Sequence, residues 1–280
     1  MKTLAVHTGA LGDFLLACPA ITALAEDGPI ELCGHPERHA LAVAAGIAQR
    51  THPLDALGLH EILAGTTEVP ARLRRLAQGF DRAVVWMRDP DGRIASALRH
   101  AGTAEVHCHP GLPQDDWPAH TADYYLHTIG RPPVETYRLP LAPLPGRDVV
   151  LAPGSGSPAK NWPLPNFLVL AEDLRARGRR ITWLTGPAED GIALPPGDAV
   201  LSSPELVTLG RELAATKLYI GNDSGPTHLA SFVGCPTVAI FGARGLRRWY
   251  PIGIQTRMCH GMAWPSAAEI YAEILTLTGK

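Results

Sequence analysis

The chain predicts an α/β protein built from two similar halves. Three observations point there. Short β-branched and apolar runs alternate with longer segments of helical period. The alternation stops once, at a proline-rich stretch, and then restarts. A length of 280 residues suits one large domain or two modest ones, at roughly 100–200 residues each.

The elements follow in order. In the first half, Leu4–His7 reads as a strand and Gly12–Glu26 as its helix. Ile30–Cys33 reads as a strand and Glu37–Ala45 as a helix. Ala83–Trp86 is a third strand, followed by a helix over Ile94–His100. Glu105–His107 extends the pattern, and Thr121–Ile129 reads as a helix. Then Pro132, Pro133, Pro140, Pro143 and Pro145 crowd into one stretch that suits neither helix interior nor central strand. This stretch reads as a linker and sets the expected boundary, with domains at 1–145 and 146–280.

The second half repeats the alternation. Val149–Ala152 is a strand, and Asn166–Arg177 is a helix ending at Gly178, a good helix-terminating residue. Arg180–Leu184, Leu218–Gly221 and Thr237–Phe241 are strands. Glu205–Ala215, Thr227–Val233 and Ser266–Leu277 are helices. Two such halves leave a cleft at the C-terminal ends of their strands, where ligands bind.

Composition excludes several classes. Lys plus Arg is 25 and Asp plus Glu is 27, for a net charge of -2, so the chain lacks the basic surplus of a nucleic-acid binder. No apolar run approaches the roughly 20 residues of a membrane span. The N-terminus begins like a signal peptide, but His7, Gly9, Gly12 and Asp13 interrupt it. Five scattered cysteines without a C-x-x-C pair suit a reducing cytoplasm. In His107-Cys108-His109, three adjacent extended residues cannot all face one ion, so no metal site is expected. The 28 glycines and 26 prolines stay below the level of low complexity and read as punctuation.

Three of these punctuated segments suggest chemistry. The first, His7-Thr8-Gly9-Ala10-Leu11-Gly12-Asp13, joins a strand to a helix. Asp13 sits at the helix N-terminus, as a cap or as a functional carboxylate. The second runs from Pro153 through Gly154, Ser155, Gly156 and Lys160 to Pro163. Its small residues expose backbone N–H groups and Lys160 adds positive charge, as a phosphate cradle requires. It is no Walker A loop. Gly154, Gly156 and Ala159 match a dinucleotide fingerprint only loosely, with Pro158 and Pro163 in the way.

The third segment is Asn222-Asp223-Ser224-Gly225-Pro226-Thr227-His228. Pro226 near the first helical position marks a helix start whose N–H groups form a second anion site. Ser224 and Thr227 would be extra donors, and His228 lies one turn in. Arg88 and Arg93 follow a first-half strand and either face an anionic acceptor or form a solvated face with Asp89 and Asp91.

Together these motifs resemble glycosyltransferase family 9, the ADP-heptose:lipopolysaccharide heptosyltransferases. The resemblance rests on Gly12–Leu24, on Pro153–Pro163 and on Asn222–Gly242, with weaker likeness at Gly186–Glu189 and His120–Leu126. It implies a GT-B fold, two Rossmann-like domains with a cleft, and inverting, metal-independent sugar transfer without a cofactor. The implied donor is a nucleotide-sugar, an ADP-heptose or related sugar, and the implied acceptor a lipopolysaccharide-core-type saccharide, free or lipid-linked.

By the same resemblance, Asp13 is the general base and Lys160 neutralises the leaving diphosphate. Ser155, Gly156, Asp223, Ser224, Gly225, Pro226, Thr227 and His228 bind the donor. Glu189 holds its ribose and Leu206 lines its base pocket. Gly12, Arg88 and Arg93 belong to the acceptor side. The implied location is the cytoplasm, with peripheral contact at the inner membrane face. A transferase with another donor or acceptor, and a non-catalytic nucleotide-sugar binder, are the competing readings.

Overall fold

A computed structural model describes residues 1–64, 68–186, 192–242, 248–261 and 263–279. The chain divides into two compact units, Met1–Val134 and Glu135–Lys280.

The first unit runs β1 (Thr3–His7), α1 (Leu11–Glu26), β2 (Ile30–Gly34), α2 (Pro36–Ala44) and β3 (Thr51–Pro53). A 3-10 turn (Leu54–Leu57), α3 (Leu59–Leu63), α4 (Ala71–Ala77) and β4 (Arg82–Trp86) follow. The unit ends with α5 (Arg93–His100), β5 (Glu105–His109) and α6 (Thr121–Thr128). The strand order is β3-β2-β1-β4-β5, and every pairing is parallel. A parallel sheet covered on both faces needs strands apolar on both sides, and β1, β2 and β4 are buried almost throughout. Alternate residues serve opposite layers. Leu4, Val6, Ala83, Val85 and Val106 pack with Ile62, Leu73 and Leu98 of α3, α4 and α5. On the other face, His7 and Trp86 meet Phe14 of α1 and Tyr125 of α6.

The second unit runs β6 (Val149–Ala152), a 3-10 turn (Pro158–Lys160), α7 (Leu164–Ala176), β7 (Ile181–Thr185) and β8 (Ala199–Ser202). Then come α8 (Leu206–Leu213), β9 (Tyr219–Asn222), α9 (Gly225–Phe232), β10 (Thr237–Phe241), β11 (Thr256–His260) and α10 (Ala267–Thr278). Its order is β11-β10-β9-β6-β7-β8, again with parallel pairings. Val149, Leu151, Trp183, Ile220 and Ile240 form one core with Phe167 and Leu170 of α7 and Ile270 and Ile274 of α10.

Both sheets have the Rossmann order, reversing between β1 and β4 in one unit and between β6 and β9 in the other. Several short elements went unpredicted. β3 has three residues and β8 is largely exposed, so neither carries an apolar alternation. Helix α7 starts two residues earlier than expected, because Pro165 is tolerated within its first turn. Among the described residues, no helix is long and apolar enough to cross a membrane.

The proline-rich stretch is not a free linker. The boundary falls at 134/135, and the chain after it lies along the second unit. Tyr137 N donates to Ile252 O at 2.9 Å, Leu139 N to Phe232 O at 2.7 Å and Leu144 N to Arg211 O at 2.9 Å. Leu139 is fully buried, a contribution of about 1.5–3 kcal/mol. The prolines hold the backbone extended, while the residues between them supply donors and apolar contacts.

His7 and His39 are each 1% exposed. Burial is the main cause that lowers His7 to about 3, helped by His39 and Arg38. Burial likewise lowers His39 to about 4, with His35 next. Both are neutral in the native chain and regain an ordinary value near 6.5 when it unfolds. The unfolded chain therefore binds more protons between about pH 6.5 and pH 4, and stability falls as pH drops through that window. We predict a urea midpoint that declines from pH 7 to pH 4.5, with a shallower decline in His39→Phe. Equal pH slopes in the variant and the parent would refute this origin.

Candidate functional site

In an open α/β sheet, ligands bind beyond the carboxyl ends of the strands, where the order reverses. The first unit places one expected loop there and the second unit places two.

In the first unit, β1 ends at His7 and α1 begins at Leu11. Asp13 is the third residue of α1, and its Oδ2 accepts from Ala10 N at 2.9 Å. The carboxylate thus does the work of a helix cap. Gly9 is required by space: a Cβ there would lie 2.7 Å from Asp13 Cβ and 2.8 Å from His7 Cε1. Arg38 of α2 clamps the turn from outside, donating from Nη1 to Gly9 O at 2.6 Å. Tyr125 lies close enough that the Asp13 charge adds to burial in raising its phenol well above the ordinary range. Gly12 occupies the first turn of α1. Arg88 is exposed just after β4. Arg93 opens α5 and is engaged elsewhere, donating to Leu63 O at 2.7 Å and pairing with Asp91 at 3.5 Å.

In the second unit the loops after β6 and β9 flank the reversal, and one residue joins them. Asn222 is fully buried. Its Oδ1 accepts from Trp162 N at 2.9 Å and its Nδ2 donates to Pro153 O at 2.7 Å. One carboxamide therefore grips both ends of the 153–162 loop. Trp162 anchors the far end, 1% exposed, with Nε1 donating to Pro265 O at 2.7 Å and its ring edge-on to Phe167.

Between these loops lies a cavity of about 310 Å3. Gly154, Ser155 and Gly156 form one wall, and Ser224, Gly225 and Pro226 another. Leu184, Pro204, Leu206 and Leu209 supply an apolar side. Ser203, also in the wall, adopts φ +44°, unique for a non-glycine residue among those described, and donates to Thr185 O at 2.8 Å. No side chain caps α9, which starts at Gly225 with Pro226 second, so its first-turn N–H groups are left for an anion.

Two expected donor hydroxyls are spent internally. Thr227 is fully buried and donates to Asn222 O at 2.5 Å. The Ser155 hydroxyl lies 2.6 Å from Asn161 Oδ1 and 2.8 Å from Ser157 O, folding the loop on itself. Main-chain N–H groups there remain suited to a phosphate. His228 is 3% exposed, packed edge-on to Phe232, and does not border the cavity. Lys160 and Asp223 form an ion pair at 2.8 Å, the lysine half exposed and the aspartate nearly buried. Glu189 lies outside the described residues. Among the described residues, no group of three or more His, Cys, Asp or Glu is placed to hold a metal ion.

Residues 135–273 match the model for glycosyltransferase family 9 (heptosyltransferase). The chain belongs to glycosyltransferase family 9. Against lipopolysaccharide heptosyltransferase 3 of Escherichia coli, this family 9 chain is 30% identical over 113 residues, 37% of its own length and 33% of that protein's. It thus spans about a third of the length of the curated relatives it matches. E. coli ADP-heptose lps heptosyltransferase II has the same fold, with a TM-score of 0.77 at 16% identity over 99% of this chain and 98% of that one. A family 9 glycosyl transferase from Veillonella parvula gives a TM-score of 0.74 at 16% identity over 99% and 97%. The architecture of this family 9 chain is therefore GT-B.

Sequence reasoning quoted Asn222 but assigned it no task, and it missed Arg38. A carboxamide at a strand end gives no sign of which two backbone groups it will meet. Asn222→Asp keeps an acceptor for Trp162 N–H but loses the donor to Pro153 O. Leaving that carbonyl unpaired costs about 1–3 kcal/mol. The expected result is a lower urea midpoint, read by denaturant titration. A wild-type midpoint would remove the bridging role.

Proposed function

We propose that this chain is an inverting, metal-independent glycosyltransferase that moves a heptose or related sugar from an ADP-sugar to a saccharide acceptor. One observation carries the reading: the 310 Å3 cavity has phosphate-type N–H groups on two walls and an apolar side of Leu184, Pro204, Leu206 and Leu209. That is the chemistry of a nucleoside diphosphate, with anionic phosphates at one end and a flat base at the other. Lipopolysaccharide heptosyltransferase 3 of E. coli, a curated relative, supports the choice of a heptose.

In this reading the diphosphate lies between the Ser155-Gly156 backbone and the Ser224–Thr227 start of α9. Lys160 shifts from Asp223 to the phosphates and offsets the charge that grows on the leaving group. Such prearranged charge is commonly the largest catalytic contribution. Asp223 then holds the lysine in reach. Leu206 packs on the base and Glu189 binds the ribose, as the family likeness implies. His228 supports the start of α9 from within.

Asp13 takes the proton from the acceptor hydroxyl. The acceptor oxygen bonds to the anomeric carbon as the bond from that carbon to the diphosphate oxygen breaks. The nucleoside diphosphate leaves with the electron pair, and configuration inverts because one displacement occurs. The bond from Ala10 N holds the Asp13 carboxylate at the turn. Lys160 and the α9 terminus supply the positive charge that a metal ion supplies in other transferases. The chain acts in the cytoplasm, where nucleotide-sugars are made.

Asp13→Asn should slow transfer by roughly 10²-fold or more with donor affinity intact. Turnover near the parent's would end the base assignment. Lys160→Ala should weaken ADP-heptose binding and slow transfer together, measured by calorimetry and product formation. Parental values for both would exclude contact with the phosphates. A comparison of ADP-heptose with ADP-glucose under the same acceptor tests the sugar.

A further inference from the structure

A second cavity, of about 350 Å3, opens in the first unit beyond the end of β5. It is lined by His109, Gln114, Asp116, Trp117, Tyr124 and His127 among others. Its position follows from strand register. His7 pairs with Trp86, and Trp86 with His109. These three residues end adjacent strands, on the face that carries α1 and α6. Two strand spacings separate β5 from β1, about 10 Å, so the cavity opens along the same sheet edge as the Asp13 loop.

The cavity is preformed. Tyr124 donates to Pro110 O and Tyr125 to Gly111 O, both at 2.7 Å, tying the loop after β5 onto α6. Tyr125 also accepts from His7 Nε2 at 3.3 Å, because its own proton goes to Gly111. Trp117 donates from Nε1 to His120 O at 3.2 Å. Its ring stands edge-on to Tyr124 and tilted to His127, with centroids 5.5 and 5.4 Å away. The wall thus offers a fixed aromatic platform with a carboxylate and an amide at its rim. His109 Nε2 is buried and has no hydrogen-bond partner.

We infer that this cavity is a saccharide subsite, in which one ring of the acceptor stacks on Trp117 while Asp116, Gln114 and His109 take its hydroxyls. This rests on the transfer reading above for its link to the acceptor. A pyranose presents apolar C–H faces and a polar rim, and the cavity offers the converse arrangement. The lining holds a carboxylate and no lysine or arginine. The subsite therefore takes a neutral or amino sugar and rejects an acidic one. An unpaired imidazole nitrogen meets its missing partner in a sugar hydroxyl.

The test uses the full chain with methyl α-glucoside, glucosamine and glucuronate, followed by NMR at millimolar concentration. The Trp117 indole N–H signal, assigned by its loss in Trp117→Phe, should shift with the first two sugars and not with glucuronate. Trp117→Leu and His109→Gln should weaken glucosamine binding by about tenfold, with ADP affinity unchanged in both. Signals at Trp117 that ignore all three sugars, or that follow glucuronate as strongly as glucosamine, overturn the proposal. Parental sugar affinity in both variants does the same. A chain that binds glucosamine through Trp117 but neither binds nor transfers from ADP-heptose keeps the subsite and loses the transfer reading.

Discussion

A parallel sheet sends the carboxyl ends of all its strands to one edge, and the chain must return by a crossover connection, usually a helix. Where the strand order reverses, two neighbouring connections leave in opposite directions and a gap opens between them. This constraint acts twice here, between β1 and β4 and between β6 and β9. A strand-to-helix turn sits at each reversal, and the first has no room for a side chain at Gly9. Gly9 faces Asp13 and His7 at one of them, and the Asn222 bridge organises the other.

The two reversals carry different chemistry because different side chains close them. In the second unit the donors are main-chain groups, held in place by an uncharged carboxamide and by an indole in the core. This suits anion binding, since fixed dipoles need not reorganise when the ligand arrives. In the first unit the exposed group is a carboxylate, restrained by its own helix start. Behind it lies a buried row of His7, Trp86 and Tyr125, with His39 alongside. Burial keeps those imidazoles uncharged, and the Arg38 guanidinium holds the Gly9 turn beside them. Tyr125 then connects that row to the loop after β5.

The second-unit motifs were legible because each residue type has a local purpose. Gly and Ser expose backbone, Pro226 starts a helix, and Lys160 is a charge within reach of a loop. Apolar runs such as Val149–Ala152 and Thr237–Phe241 were legible for the same reason: strands buried on both faces have little choice of composition. Thr227 shows where local reasoning stops. A hydroxyl beside a helix start looks available for an anion, but its side chain points inward to Asn222 O. The proline-rich stretch misleads in the same way. Prolines mark extended chain, and nothing local says whether that chain hangs in solvent or lies against Phe232 and Ile252.

By itself the sequence determined two α/β units, the two glycine- and serine-rich loops at the ends of β6 and β9, and the carboxylate at the start of the first helix. These depend on residues within about a dozen positions of one another, where propensity and turn chemistry act. Only the tertiary structure decided which hydroxyls were left over, where the unit boundary fell, and which aromatic rings gathered beyond β5. Those outcomes depend on partners such as Asn222 with Pro153, Leu139 with Phe232, and His7 with Tyr125. Such pairs meet only after the strands have taken their order, and no spacing along the chain encodes them.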